Sequence, residues 1–186
     1  MPTFIIAELG VNHNGSVELA KQMVDQAAWA GADCAKFQMR HLKELYQNEG
    51  NPNDLSEDLG SQYILDVLSR SQLTVDEMFE VFDYCRKKNI LPLCTPWDIA
   101  SVATLEEYGI EGYKVASADL TNHDLIEEIA KTGKPMILST GMSAEKEIIE
   151  TVALLKHLGA PYILLNCNST YPAPFKDLNL QYLGRL

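Results

Sequence analysis

Positive charge is scarce in this 186-residue chain: 15 lysines and arginines face 26 aspartates and glutamates, for a formal net charge of −11. That balance argues against a general nucleic-acid surface. It also means that an anionic ligand must be held by local positive charge, because the field of the whole protein repels it. Long apolar runs are lacking: no stretch is long enough to span a membrane, and no secretory signal is read ahead of Phe4. Paired cysteines are lacking too. Cys34, Cys85, Cys94 and Cys167 show no metal-ligand spacing. Three of them sit in apolar runs and Cys85 on a helix face, so they read as buried, reduced thiols of a cytoplasmic protein. No Gly-x-Gly-x-x-Gly follows the first apolar run, which argues against a dinucleotide-binding open sheet.

What is present is ordinary globular composition, 46% hydrophobic and 22% charged, in one domain's length of chain. Apolar runs at residues 4–7, 34–38, 90–94, 112–116, 135–138 and 162–165 read as strands, the first buried on both faces. Helices are expected between them. Ser16, Asp98, Asn122 and Ser143 read as N-caps, and Thr74 with Glu77 as a capping box. Gly31, Gly109, Gly133 and Gly159 read as stops. The first helix is expected to bury Val17, Ala20, Met23, Val24 and Ala27, and the helix after Thr74 to bury Val75, Met78, Phe82 and Cys85. Residues 40–60 break this rhythm and read as a long polar loop over the strand ends, followed by a short helix near residues 63–69. Strands alternating with helices predict a parallel sheet. Closed on itself, it is a (β/α)8 barrel of the TIM type, with about six of the eight strands in this chain and every strand ending on one face.

The C-terminal ends of those strands carry the chemistry: Glu8, Lys36, Gln38, Thr95, Lys114, Ser117, Asp119, Ser139, Thr140, Asn166 and Ser169. Lysine is rarely buried, yet Lys36 and Lys114 lie in or at the end of apolar strands. One such lysine reads as a snorkelling stem or a structural ion pair. Two of them, with hydroxyls at neighbouring strand ends, fit a bound phosphate or carboxylate. For Glu8 and Asp119 an ion pair with those lysines and acid/base catalysis both stay open.

Several segments closely resemble the sialic acid synthase family, which includes N-acetylneuraminate, legionaminate and pseudaminate synthases and spore-coat polysaccharide proteins. They are Ile5-Ile6-Ala7-Glu8-Leu9-Gly10-Val11-Asn12-His13-Asn14-Gly15, Lys36-Phe37-Gln38, Thr95-Pro96-Trp97-Asp98, Lys114-Val115-Ala116-Ser117, Leu138-Ser139-Thr140-Gly141-Met142 and Asn166-Cys167-Asn168-Ser169-Thr170-Tyr171-Pro172-Ala173-Pro174. The resemblance runs in order along the whole chain. It implies a barrel that condenses phosphoenolpyruvate with an N-acetylated hexosamine such as N-acetylmannosamine, giving a nonulosonic acid and phosphate. It also implies a divalent metal, manganese or magnesium, and a homodimer in the full-length protein. Carried over by position, Lys36, Thr95, Lys114, Ser117, Ser139 and Ser169 are expected to hold phosphoenolpyruvate. Gln38 and Tyr171 are expected to face the reacting centre or the sugar, and Glu8 the metal end. No nucleic-acid or membrane partner is implied.

The chain departs from the family pattern in three places. Ser117-Ala118-Asp119 stands where Ser-Gly-Glu is common, so the carboxylate is one methylene shorter. Asn166 stands where a histidine often precedes the cysteine. Residues 1–186 read as one barrel domain that ends before the last two strands and the antifreeze-like domain. The metal ligands are therefore expected beyond residue 186, and the segment alone is expected to be inactive. His123 and His157 read as exposed helix residues and His41 as a loop residue; His13, in the first loop, reads as a turn-stabilising residue ahead of a substrate contact. Two other readings accompany the synthase: a Schiff-base aldolase with Lys114 as the amine nucleophile, and a remnant that binds a ligand without turnover.

Overall fold

The computed structural model describes residues 3–42 and 68–186. The polar loop expected over residues 40–60 therefore lies almost wholly outside the described residues, as does most of the helix expected near 63–69; residues 68–71 are helical. The chain divides into two compact units, Met1–Leu93 and Cys94–Leu186.

In the first unit β1 (Ile6–Gly10) leads through a tight turn to α1 (Val17–Trp29), then β2 (Cys34–Met39), α2 (Val75–Lys87) and the start of β3 (Leu91–Pro96). β1 pairs parallel to β2 with Glu8 opposite Lys36. On the far side of β2, Leu91 N–H donates to Asp33 O at 3.0 Å. Helix ends follow local chemistry. The Ser16 hydroxyl accepts from Leu19 N–H, and Thr74 and Glu77 form both halves of a capping box. Gly31 takes a left-handed φ of 81° behind α1. The core joins Phe37 to Phe82, ring centroids 5.8 Å apart, with Val24, Val81 and Cys85 around them. Full burial of a side chain such as Phe82 contributes about 1.5–3 kcal/mol.

The second unit takes the end of β3, then α3 (Ile99–Tyr108), β4 (Tyr113–Val115), α4 (His123–Lys131), β5 (Met136–Ser139), α5 (Glu145–Leu158) and β6 (Tyr162–Leu165). Short 3-10 segments lie between β4 and α4 at Ser117–Asp119 and after β6 at Phe175–Asp177 and Leu180–Gly184. Pairing is parallel throughout: Cys94 opposite Tyr113, Lys114 opposite Ile137, Ser139 opposite Leu165. The core is aliphatic, built from Leu105, Leu120, Ile126, Ile129, Met136 and Leu138, with Tyr113 fully enclosed. Consecutive strands are neighbours, without the order reversal of a doubly wound sheet. The fold is a partial barrel of the (β/α)8 type.

Five expectations are corrected. The first strand is not buried on both faces: Phe4 and Ile5 are 56% and 51% exposed, and the strand begins at Ile6. Its ladder has a partner on one side only among the described residues, so one edge is left uncovered. Val81 rather than Val75 completes the buried face of α2, because Val75 lies on the first turn at the mouth of a cavity. Met23 is only half-buried, lining an apolar groove with Ala7 and Leu9. The N-cap of α5 is Ala144, not Ser143. Ser143 N–H closes a turn onto Thr140 O, and the Glu147 carboxylate reaches back to Ala144 N–H at 2.6 Å. His123 is half-buried, its Nε2 3.3 Å from Thr151 Oγ1, whose hydroxyl in turn donates to Leu120 O.

Candidate functional site

Two groups of strand-end side chains stand out, one in each unit. In the first, Lys36 is 5% exposed and meets Glu8 at 2.8 Å. A charge that deep needs a partner, and Glu8, its own side chain 57% exposed, supplies one. β1 bulges between Glu8 and Gly10. Gly10 has φ +52°, and a Cβ there would stand 3.1 Å from Glu8 Oε1 and 3.4 Å from Gln38 Nε2. Glycine at this point lets the two side chains close over the backbone. Gln38 Oε1 accepts from Arg40 Nη2 at 2.5 Å. Arg40 was not singled out from the sequence, although it continues the alternation of Lys36 and Gln38 just past the end of β2. His13 is 1% exposed. Its Nδ1 accepts from Gly15 N–H at 3.2 Å, the turn-stabilising contact expected of it, while Nε2 has no partner among the described residues. Burial holds its pKa below the usual 6.5.

The second group is contributed by four successive strands. Lys114, at the middle of the short β4, donates from Nζ to Val115 O at 2.6 Å and to Ser139 Oγ at 2.5 Å. Ser139, the last residue of β5, also accepts from Cys167 Sγ at 3.3 Å. Gly141 N–H donates to Ser117 Oγ at 3.2 Å. A Cβ on Gly141 would stand 2.8 Å from Ser169 Oγ and 3.1 Å from both the carbonyl carbon and Cβ of Cys167. Loops 139–141 and 167–169 thus lie against each other with no room for a side chain. Thr140 Oγ1 ties them further by donating to Leu165 O at 2.8 Å. Thr95 is 1% exposed, and its hydroxyl has no partner among the described residues. The β3–β4 register places it level with Lys114.

Lys114, Ser117, Ser139 and Ser169 are thus brought together in one unit with Thr95 in register. Asp119 lies in the turn after Ser117, where its Oδ1 accepts from Asn122 Nδ2 at 3.3 Å. Tyr171 is 92% exposed. Asn166 donates to Leu178 O at 3.2 Å, fastening the C-terminal tail. Cys167 is a correction. Cys34, Cys85 and Cys94 are buried, and burial pushes the thiols of Cys34 and Cys85 up to about 12, but Cys167 is only half-buried and lies against a site hydroxyl. Chemically the group sets the Lys114 ammonium beside hydroxyls and a loop amide, suited to directing donors at a phosphate or carboxylate. Among the described residues no three His, Cys, Asp or Glu side chains gather to hold a metal ion. The described residues do not fit the implied metal. Nor, among them, is any helix long and apolar enough to cross a membrane.

A model of the NeuB family matches residues 23–186. The N,N'-diacetyllegionaminic acid synthase of Campylobacter jejuni is 38% identical over 189 residues, covering 99% of this chain and 57% of that protein. The N-acetylneuraminate-9-phosphate synthase of Mus musculus is 32% identical over 185 residues, covering 98% of this chain and 51% of that one. Among solved structures, an N-acetylneuraminic acid synthetase of Leptospira borgpetersenii, in complex with citrate, superposes with a TM-score of 0.86 at 34% identity, covering 100% of this chain and 61% of that one. This chain spans about half the length of the curated relatives it matches.

Proposed function

The chain belongs to the NeuB family, and on that premise we propose that it forms part of a synthase condensing phosphoenolpyruvate with an N-acetylated hexosamine, such as N-acetylmannosamine, to give a nonulosonic acid and phosphate. The observation that carries this reading is the Lys114 ammonium seated on the Ser139 hydroxyl, with Ser117, Ser169 and Thr95 close by in the same unit. In a protein of net charge −11 such a group is local positive charge arranged for an anion. Phosphoenolpyruvate presents two anionic groups. Lys114, Ser117, Ser139 and Ser169 are assigned to hold them, with Thr95 as a further donor. Lys36, Gln38 and Tyr171 carry over from the family resemblance as further substrate-binding residues, and Glu8 and Asp119 as acid/base candidates. The reaction joins C3 of phosphoenolpyruvate to the aldehyde carbon of the sugar. The aldehyde oxygen takes a proton, one water is consumed, and phosphate leaves. The protein's part is alignment and stabilisation of developing charge.

The reading carries with it a cytoplasmic homodimer and a divalent metal, manganese or magnesium, held by residues other than those described. The test is phosphate release from phosphoenolpyruvate in the presence of N-acetylmannosamine and manganese, by the full-length protein that carries this sequence. Sugar-dependent release that falls in a Lys114→Met variant supports the proposal. Turnover of pyruvate without phosphoenolpyruvate, with a borohydride-trapped adduct on Lys114, would replace it with the aldolase reading.

A further inference from the structure

Ser139 Oγ accepts from two donors at once, Lys114 Nζ at 2.5 Å and Cys167 Sγ at 3.3 Å. A serine hydroxyl has two acceptor lone pairs and a single O–H. With both lone pairs engaged, its proton points away from both donors. Lys114 alone would leave the second lone pair open and the O–H free to rotate. We infer that Cys167 is a positioning residue: its thiol fills the second lone pair of Ser139 and so aims the Ser139 O–H at an anionic oxygen of phosphoenolpyruvate. This rests on the ligand assigned under Proposed function.

The loop that carries Cys167 is built to hold it still. Asn166 Nδ2 donates to Leu178 O at 3.2 Å and Asn168 Nδ2 to Asp177 O at 3.3 Å, while Asn168 Oδ1 accepts from Thr170 N–H at 2.8 Å. Gly141, lacking a Cβ, lets the Cys167 backbone approach β5 closely. The thiol is therefore anchored on both flanks, and the direction of the Ser139 O–H is set before a ligand arrives. Donors fixed in advance cost no reorganisation on binding. Cys167 itself need not touch the ligand.

A double-mutant cycle tests the inference. Phosphoenolpyruvate binding is measured by calorimetry for the wild type, Cys167→Ala, Ser139→Ala and the double variant. Cys167→Ala is expected to weaken binding about fivefold in the wild-type background, the worth of one ordinary hydrogen bond, and to have no effect once Ser139 is alanine. Cys167→Ser, which keeps a donor, is expected to recover most of the loss. It also carries the cycle should Cys167→Ala fail to give a cooperative melt. Equal losses in both backgrounds, or a serine variant as weak as the alanine one, overturn the inference and make Cys167 a packing residue. A wild-type protein that takes up phosphoenolpyruvate with all variants equal overturns it as well. A wild-type protein that binds neither phosphoenolpyruvate nor inorganic phosphate overturns the anion site itself, and the inference with it.

Discussion

Gly141→Ala perturbs the second-unit site through geometry alone. Its φ is not left-handed, so alanine brings no backbone strain. The added methyl would stand 2.8 Å from Ser169 Oγ and 3.1 Å from the carbonyl carbon and Cβ of Cys167. The serine hydroxyl is a short side-chain tip and can swing aside. The Cys167 backbone cannot, because its loop is pinned by Asn166 and Asn168. Overpacking on this scale costs about 1–3 kcal/mol, and the unfolded chain returns about 0.4–1 kcal/mol through lost freedom at the former glycine. At mid-range the net loss is about 1.3 kcal/mol, or about 3–5 °C in Tm for a chain of this length. Binding should suffer more than stability does. Moving Cys167 by a few tenths of an ångström lengthens its contact with Ser139 and draws Gly141 N–H from Ser117. Phosphoenolpyruvate affinity is expected to fall about tenfold at a temperature well below the melt, a little over one hydrogen bond's worth. Gly184→Ala is the control, since a Cβ there meets nothing within 4 Å. Circular dichroism melts and calorimetric titrations read both effects. A Gly141→Ala protein that matches the control in Tm and in affinity refutes the close packing on which the site is argued.

Lys114→Met keeps most of the stem and removes a charge-assisted donor, so phosphoenolpyruvate binding should weaken about 10- to 100-fold; unchanged affinity on calorimetry counts against the assignment. His13 is buried with a pKa below the ordinary 6.5. The unfolded state therefore binds its proton first, and stability present above pH 6.5 is lost as pH falls below it. Urea midpoints of the wild type should drop over that range more than those of His13→Gln, and parallel curves would contradict this. Iodoacetamide should label Cys167 before the buried Cys34, Cys85 and Cys94, and phosphoenolpyruvate should slow that labelling; mass spectrometry showing uniform labelling, or no protection, would count against the site.

Much of the fold was legible because its signals are local. Ser16, Thr74, Asp98 and Asn122 cap their helices as read, since a cap is a contract between a side chain and a backbone amide two or three residues on. Ser143 failed because the helix starts one residue later than read: Ala144 takes the cap position and its amide donates to the Glu147 carboxylate. Strand ends shifted where polar residues went on pairing: Glu8 lies inside β1 and Ser139 closes β5, although neither belongs to an apolar run. Phe4 and Ile5 misled because an apolar run shows neither where its ladder starts nor which edge is uncovered. At the site, the lysines and hydroxyls could be placed at strand ends from their spacing. Their partners could not. That Lys36 takes Glu8, that Lys114 takes Ser139 and that Cys167 joins them depends on register between strands far apart in the chain. Cys167 was obscured further because sulfur reads equally as a small hydrophobe and as a weak donor.

The central claim, that Lys114 and Ser139 hold an anion as charge and directed donor, is tested most directly by a crystal structure with phosphoenolpyruvate bound. The account predicts a phosphate or carboxylate oxygen about 2.7–3.2 Å from both Lys114 Nζ and Ser139 Oγ, with the ligand intact. Ligand bound away from those atoms, or a covalent bond from Lys114 Nζ to the C2 carbon of a pyruvyl group, would contradict it.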